Sequence, residues 1–334
     1  MAETAIAVLG AGAWGTALSR VLAEREPVAL WTWQSEHAQA LLRDRENAAF
    51  FPGFPLSPAI EPTADLSLAL HGARMVLVVV PTPGVRATLE QARDALEPDA
   101  SLVIATKGIE PGTTMLLSEV VADVLGADAA ARTLVLSGPS FAKEVARGLP
   151  TSLVLAGRSS ALCSELQQRL STERLRVYAG HDPIGVQVGG ALKNVIAIAA
   201  GACDGLGLGH NARAALITRG LAEMARLALA KGGHALTLAG LAGLGDLVLT
   251  CSADLSRNRT VGFELAQGKS LTAALGELGH VAEGVVTAES AYHLAAQLNV
   301  ELPISNEVYR VLFENKPVLD AVHDVLARPL GREW

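Results

Sequence analysis

A short apolar stretch, Ala5–Leu9, runs directly into G-A-G-A-W-G at Gly10–Gly15, and T-A-L-S-R-V-L-A-E-R continues from there with helical spacing. A strand, a glycine turn and a helix in immediate succession leave a chain few folds to adopt. Gly10 permits the tight turn, Gly12 lets the backbone approach a pyrophosphate, and Gly15 lets the helix pack closely on the strand. The first amides and the dipole of that helix favour phosphate charge. Glycines at this spacing also collect in ordinary turns. The strand before, the helix after and a second strand at Val28–Trp31 are the context that makes the spacing a dinucleotide fingerprint.

The alternation continues. Met75–Val80 is a β-branched run ending at Pro81, with helical spacing through Ala95, and Ser101–Thr106 is another, ending at Lys107-Gly108. Thr133–Ser137 leads into G-P-S-F-A at 138–142, and Ser152–Leu155 reads as a last strand before helix resumes near Ala161. The pattern predicts an α/β domain with a Rossmann-type, doubly wound, mainly parallel sheet, whose ligands collect beyond the carboxyl ends of the strands. Pro81, Lys107 and Ser140 fall on that rim, although Lys107 alone reads equally well as a solvated loop lysine. From Pro183 onward strand signals stop. Asp182 is a good N-cap with Pro183 at the first helical position, and Ala212–Ala230 and Val285–Leu298 keep helical spacing. The expected division is a dinucleotide-binding domain over 1–182 and an all-α C-terminal domain over 183–334.

Composition narrows the class. A net charge of −7 argues against a general nucleic-acid surface, so an anion must be held by a local cluster of donors. Cys163, Cys203 and Cys251 are few, odd in number and far apart, which suits a reducing compartment. No C-x-x-C or H-x-x-x-H spacing points to a metal. No basic segment followed by a long apolar one opens the sequence, so a cytoplasmic location is expected. The apolar stretch around Lys193 is interrupted by Gln, Lys, Asn and Gly, and no membrane span is expected there.

Three features of the second half carry chemistry. Lys193 is the only charge between Ile184 and Cys203, and a buried ammonium costs several kcal/mol unless it is paired. A lysine whose stem lies on apolar surface while its head reaches water is the plain alternative. G-L-A-G-L-G-D-L at 240–247 sets Asp246 among glycines and apolar neighbours, either as a helix N-cap or as the partner such a lysine needs. S-R-N-R at 256–259 offers several donors and a planar guanidinium fork suited to phosphate, or a capped helix start with a surface arginine. One expected signal is missing. L-W-T-W-Q-S-E-H has no acid or Arg directly after Trp31, where NAD sites often carry an acid for the ribose hydroxyls. Glu36, Arg43 and Arg45 remain within reach in sequence, and the expectation is that both NADH and NADPH are used.

Taken together, these segments resemble the bacterial NAD(P)-dependent glycerol-3-phosphate dehydrogenase family over nearly the whole length. The matching stretches are G-A-G-A-W-G-T-A-L at 10–18, T-K-G-I-E at 106–110, S-G-P-S-F-A at 137–142 and A-L-K-N-V-I-A at 191–197. D-G-L-G-L-G at 204–209, G-L-A-G-L-G-D-L at 240–247, S-R-N-R at 256–259 and V-A-E-G at 281–284 complete the series. The resemblance implies NAD(P)H-dependent reduction of dihydroxyacetone phosphate, a small phosphorylated substrate, to sn-glycerol 3-phosphate for phospholipid synthesis. It implies Lys193 as the acid–base residue, with Lys107 and Asp246 orienting the reacting group. Gly138, Ser140, Ser256, Arg257 and Asn258 match substrate positions, Arg257 and Asn258 as the phosphate grip. Gly10, Gly12, Ala13, Trp14, Gly15, Trp33, Phe51, Lys107, Ala142, Arg257, Val281 and Glu283 match the cofactor side. Trp33 departs from the family, where a basic or polar residue is frequent. A homodimer is common among similar enzymes. The rival readings are a dehydrogenase of another 2-oxo or 2-hydroxy acid and a non-catalytic NAD(P)H sensor.

Overall fold

The structure is a computed structural model describing residues 5–278 and 282–328. Its contacts divide the chain into two compact units, Met1–Lys107 with Met115–Gln187, and Gly108–Thr114 with Val188–Trp334. This grouping differs from a single cut after residue 182. The first turn of the helix Pro183–Gly205 goes with the first unit, and the short strap Gly108–Thr114 goes with the second.

The first unit carries the strands β1 (Ile6–Leu9), β2 (Val28–Trp31), β3 (Glu46–Asn47), β4 (Phe51–Pro55), β5 (Ile60–Thr63), β6 (Met75–Val78), β7 (Ser101–Ile104), β8 (Thr133–Ser137), β9 (Thr151–Gly157) and β10 (Leu175–Gly180). Eight form one sheet in the order β10-β9-β8-β7-β6-β1-β2-β5, and β3 and β4 form a separate antiparallel ribbon. Strands β1, β2, β6 and β7 are buried at every position, which is why they read as unbroken apolar runs rather than alternating ones. All neighbours are parallel except β8 and β9, so β9 and β10 form an antiparallel edge on the doubly wound sheet. Ser152–Leu155 is therefore not the last strand, because Leu175–Gly180 pairs beside it in parallel.

Strand β1 lies between β2 and β6, in register Ile6 to Val28 and Ile6 to Met75. The chain winds to one side of β1 through β2 and β5, then crosses to the other at β6. The ends of β1 and β6 are thus the topological switch point, where open α/β sheets bind ligands.

The second unit is helical. Its central element, Pro183–Gly205, starts where Asp182 Oδ1 accepts a 2.8 Å hydrogen bond from the Gly185 N–H. This helix is long and apolar enough to span a membrane by composition, but 89% of its most apolar window is buried. It crosses Arg257–Ala266 at glycines on both sides. A Cβ on Gly201 would lie 1.8 Å from the Arg259 carbonyl oxygen, and one on Gly262 would lie 1.8 Å from that of Ile198. The strap contributes buried Ile109 and a 2.8 Å hydrogen bond from Thr114 Oγ1 to Gln297 Oε1. All three cysteines are free and buried. Burial pushes the Cys251 thiol up to about 12, so it is inert as a nucleophile.

Candidate active site

In the first unit the glycine loop has the geometry its sequence demands. Gly10 has φ +122°, and a Cβ there would lie 2.8 Å from the Val79 carbonyl carbon and the Val80 nitrogen, at the end of β6. A Cβ on Gly15 would lie 1.9 Å from the Gly10 carbonyl oxygen, so only glycine lets the helix Ala13–Leu22 sit this close to the turn. A Cβ on Gly12 would meet no atom within 4 Å. Glycine at position 12 is thus not needed for packing within the chain, whereas at 10 and 15 it is. The first turn of the helix holds no acidic residue, and its leading amides face the turn. A pyrophosphate fits such a loop.

The loop is also tied down from behind. Asn47, 1% exposed, donates through Nδ2 to the Ala11 carbonyl and to Thr16 Oγ1, both at 2.8 Å. Its Oδ1 accepts from the Phe50 N–H at 3.2 Å and lies 3.0 Å from His37 Nε2, while His37 Nδ1 lies 3.1 Å from Thr32 Oγ1. Of the expected cofactor contacts, Ala13 and Trp14 open the helix, and Trp14 packs against the core with its indole N–H buried and without a partner. Trp33 is 75% exposed just after β2. Phe51 opens β4, with its ring buried and stacked on Phe54 at 4.5 Å. Arg43 and Arg45 are engaged elsewhere. Arg43 forms a bidentate pair with Asp44, and Arg45 Nη2 donates to the Ser57 and Ile60 carbonyls.

At the ends of β7 and β8, Lys107 Nζ donates to the Gly138 carbonyl at 3.0 Å, and Ser140 Oγ donates to the same oxygen at 3.0 Å. Gly138 has φ +133° and is hemmed by Leu153 and Ser152, which fixes that carbonyl as the shared acceptor. Ala142 begins the next short helix, Ala142–Ala146. Lys107 is therefore held in place, unlike an ordinary solvated loop lysine.

In the second unit Lys193 is buried, and its Nζ donates to Asp246 Oδ1 at 2.7 Å and to Thr250 Oγ1 at 2.9 Å. Thr250 donates to the Asp246 carbonyl at 2.6 Å, one helical turn back. Asp246 is 1% exposed and opens the helix Asp246–Ser252, which follows a π-helical turn at Leu241–Gly245. That wide turn depends on its glycines, since a Cβ on Gly243 would lie 2.0 Å from the Leu238 carbonyl oxygen. Gly189, one turn before Lys193, lets the two backbones meet, because its Cβ would lie 2.5 Å from the Ala242 carbonyl oxygen. The glycines around Asp246 thus serve to bring a carboxylate to a lysine.

The S-R-N-R segment divides its labour. Ser256 caps the helix Arg257–Ala266 by accepting from the Arg259 N–H, and Arg257 is exposed at the first helical position. Asn258 Nδ2 donates to Asn194 Oδ1 at 2.9 Å and its Oδ1 accepts from the Gly284 N–H at 3.0 Å, so Asn258 joins three helices beside Lys193. Arg259 is held by Asp204 and Asp254. Glu283 begins the helix Glu283–Leu298, and Val281 lies outside the described residues. Thr250 and Asn194 were not singled out from the sequence. Thr250 carried a usable signal, four residues after Asp246 on one helical face. Among the described residues no group of three His, Cys, Asp or Glu side chains is placed to hold a metal.

The comparisons agree across both units. Sequence models described as NAD-dependent glycerol-3-phosphate dehydrogenase N-terminus and C-terminus match residues 5–163 and 182–323. A glycerol-3-phosphate dehydrogenase, NAD(P)+, from Geobacter sulfurreducens is 50% identical over 329 residues, covering 98% of each chain. One from Nitrosomonas europaea is 51% identical over 328 residues, covering 98% of this chain and 99% of the relative. The crystal structure of a glycerol-3-phosphate dehydrogenase from Coxiella burnetii superposes with a TM-score of 0.93 at 41% identity, covering 97% of this chain and 98% of that one.

Proposed function

The chain belongs to the NAD-dependent glycerol-3-phosphate dehydrogenase family, and from that premise we propose that Lys193 is its acid–base residue and Arg257 its phosphate grip. The reaction is the reduction of dihydroxyacetone phosphate to sn-glycerol 3-phosphate with NADH or NADPH. The observation that carries the assignment is the buried Lys193–Asp246–Thr250 cluster. Two fixed acceptors orient an ammonium that would otherwise not be kept in an apolar helix.

A nicotinamide cofactor held on the glycine loop would supply the hydride that C2 of the substrate receives. As the carbonyl π pair becomes a lone pair on the C2 oxygen, Lys193 gives that oxygen a proton, and in the reverse direction it takes the proton back. Asp246 and Thr250 hold Nζ at a fixed point, and Asp246 offsets the charge of the ammonium. Asn258 and Asn194 brace the helix turn that carries the lysine. Lys107, steadied by the Gly138 carbonyl, meets developing negative charge on the substrate oxygen, and Gly138 and Ser140 complete that contact. The Arg257 fork, exposed beside the Ser256 cap, binds the phosphate. Gly10, Gly12, Ala13, Trp14, Gly15, Trp33, Ala142 and Glu283 serve the cofactor. The first unit holds the dinucleotide and the second the acid–base centre, in a cytoplasmic protein whose homodimer sedimentation of the purified protein tests.

Two outcomes check these roles. Arg257→Ala should raise the dihydroxyacetone phosphate KM by about 10–100-fold, as expected when a charge-assisted bond common to ground and transition states is lost, with kcat within about threefold. An unchanged KM moves the phosphate site elsewhere. Gly12→Ala, which meets nothing inside the protein, should leave stability within about 0.5 kcal/mol. It should weaken binding of both cofactors at least about tenfold, measured by nicotinamide fluorescence. Unweakened binding would mean that no pyrophosphate approaches Gly12.

A further inference from the structure

The position about twenty residues past Gly12, where an NAD site often carries its ribose-binding acid, is Thr32. It lies at the end of β2, 5% exposed, with its hydroxyl 3.1 Å from His37 Nδ1. His37 Nε2 in turn lies 3.0 Å from Asn47 Oδ1. The Ala11 carbonyl can only accept and the Phe50 N–H can only donate, so the Asn47 amide has one orientation, with Oδ1 towards His37. An acceptor at that place requires the proton on His37 Nε2. In a neutral ring Nδ1 is then the acceptor, and the hydrogen bonded to it is that of Thr32. The Thr32 hydroxyl proton is thereby committed to His37, and its oxygen is left with lone pairs only.

We propose that His37 is a positioning residue for cofactor choice: it fixes Thr32 as a hydrogen-bond acceptor, replacing the missing carboxylate in recognising the ribose 2′-hydroxyl of NADH. The same chain of bonds, from Thr32 through His37 and Asn47 to the Ala11 carbonyl, joins the ribose end of the site to the glycine loop that takes the pyrophosphate. A 2′-phosphate is an acceptor and gains nothing from Thr32. The two arginines that follow in sequence, Arg43 and Arg45, are already bonded to Asp44 and to backbone carbonyls. The inference rests on the reading that the rim of β1 and β2 holds the adenosine half of the cofactor.

Dissociation constants for NADH and NADPH, measured by fluorescence on the full chain without substrate, test it independently of turnover. Thr32→Val keeps the shape and removes the hydroxyl. It should weaken NADH about 5–10-fold, the loss of one good hydrogen bond, and leave NADPH within about twofold. His37→Gln retains a donor near the Nε2 position for Asn47 but removes the acceptor for Thr32, and should shift the NADH-to-NADPH ratio in the same direction. His37→Ala also loosens the glycine loop and should weaken both cofactors. Imidazole nitrogen shifts of the wild-type protein should show the His37 proton on Nε2. Equal weakening of both cofactors by Thr32→Val, no change in either, or a proton on Nδ1 overturns the proposal. Turnover of dihydroxyacetone phosphate by a Thr32→Val protein with an unaltered cofactor ratio would sink it while leaving the reaction intact.

Discussion

Lys193→Ala should lose about 10²–10⁴-fold in kcat, the range general acid–base catalysis supplies, while its NADH dissociation constant stays near the wild-type value. The variant also takes the ion-pair partner from buried Asp246, and breaking a buried pair in this way costs about 3–5 kcal/mol. A drop in rate alone would therefore be ambiguous. The double variant Lys193→Met, Asp246→Asn removes both charges and retains a polar group for Thr250, so it should recover most of the lost stability and none of the rate. Urea unfolding and steady-state turnover on the two variants separate the roles. Turnover recovered together with stability would reduce Lys193 to a structural ion-pair partner.

The second large effect is expected far from any titratable group. Gly201→Ala or Gly262→Ala drives a methyl group to within 1.8 Å of a backbone carbonyl oxygen, where no rotamer can relieve the clash. The helices Pro183–Gly205 and Arg257–Ala266 must part, at a cost of about 3 kcal/mol or more. Lys193 lies eight residues, about 12 Å, before Gly201 on the same rod, and Arg257 and Asn258 head the other helix. The crossing thus sets the lysine against the S-R-N-R segment. Each substitution should lower the urea midpoint and, in whatever protein folds, raise the substrate KM. Wild-type stability in both would mean that the helices cross with more space than described.

The dinucleotide half was legible where local chemistry forces a single answer. The strand Val28–Trp31, the strand Thr133–Ser137 and the Asp182 cap before Pro183 stand at their expected residues, because buried parallel strands and capped helices announce themselves. The edge was less legible. In Leu175–Gly180 exposed Arg176 and Tyr178 alternate with buried Leu175 and Val177, and in Ile60–Thr63 Pro62 cannot donate to a ladder, so both lack the continuous apolar signal. The reversal at β9 depends on which neighbour the strand meets, which no local pattern encodes. For the site, Lys193 and Asp246 were visible as charges in apolar surroundings and Thr250 by its spacing from Asp246, but Asn194 looks like an ordinary helix residue until the fold sets Asn258 against it.

The strap Gly108–Thr114 also bears on how divisible the molecule is. The chain leaves its nucleotide-binding unit after Lys107, lends seven residues to the helical unit, and returns at Met115. Neither unit is therefore encoded by one unbroken stretch. A fragment begun at residue 183 would carry Gln297 without Thr114 and a helical core without Ile109. Exchange of such halves between relatives would carry the strap with Lys107 and part it from the helical core that it completes. The unit of inheritance for this catalyst is the entire chain, whatever its two-part appearance suggests to anyone wishing to recombine it.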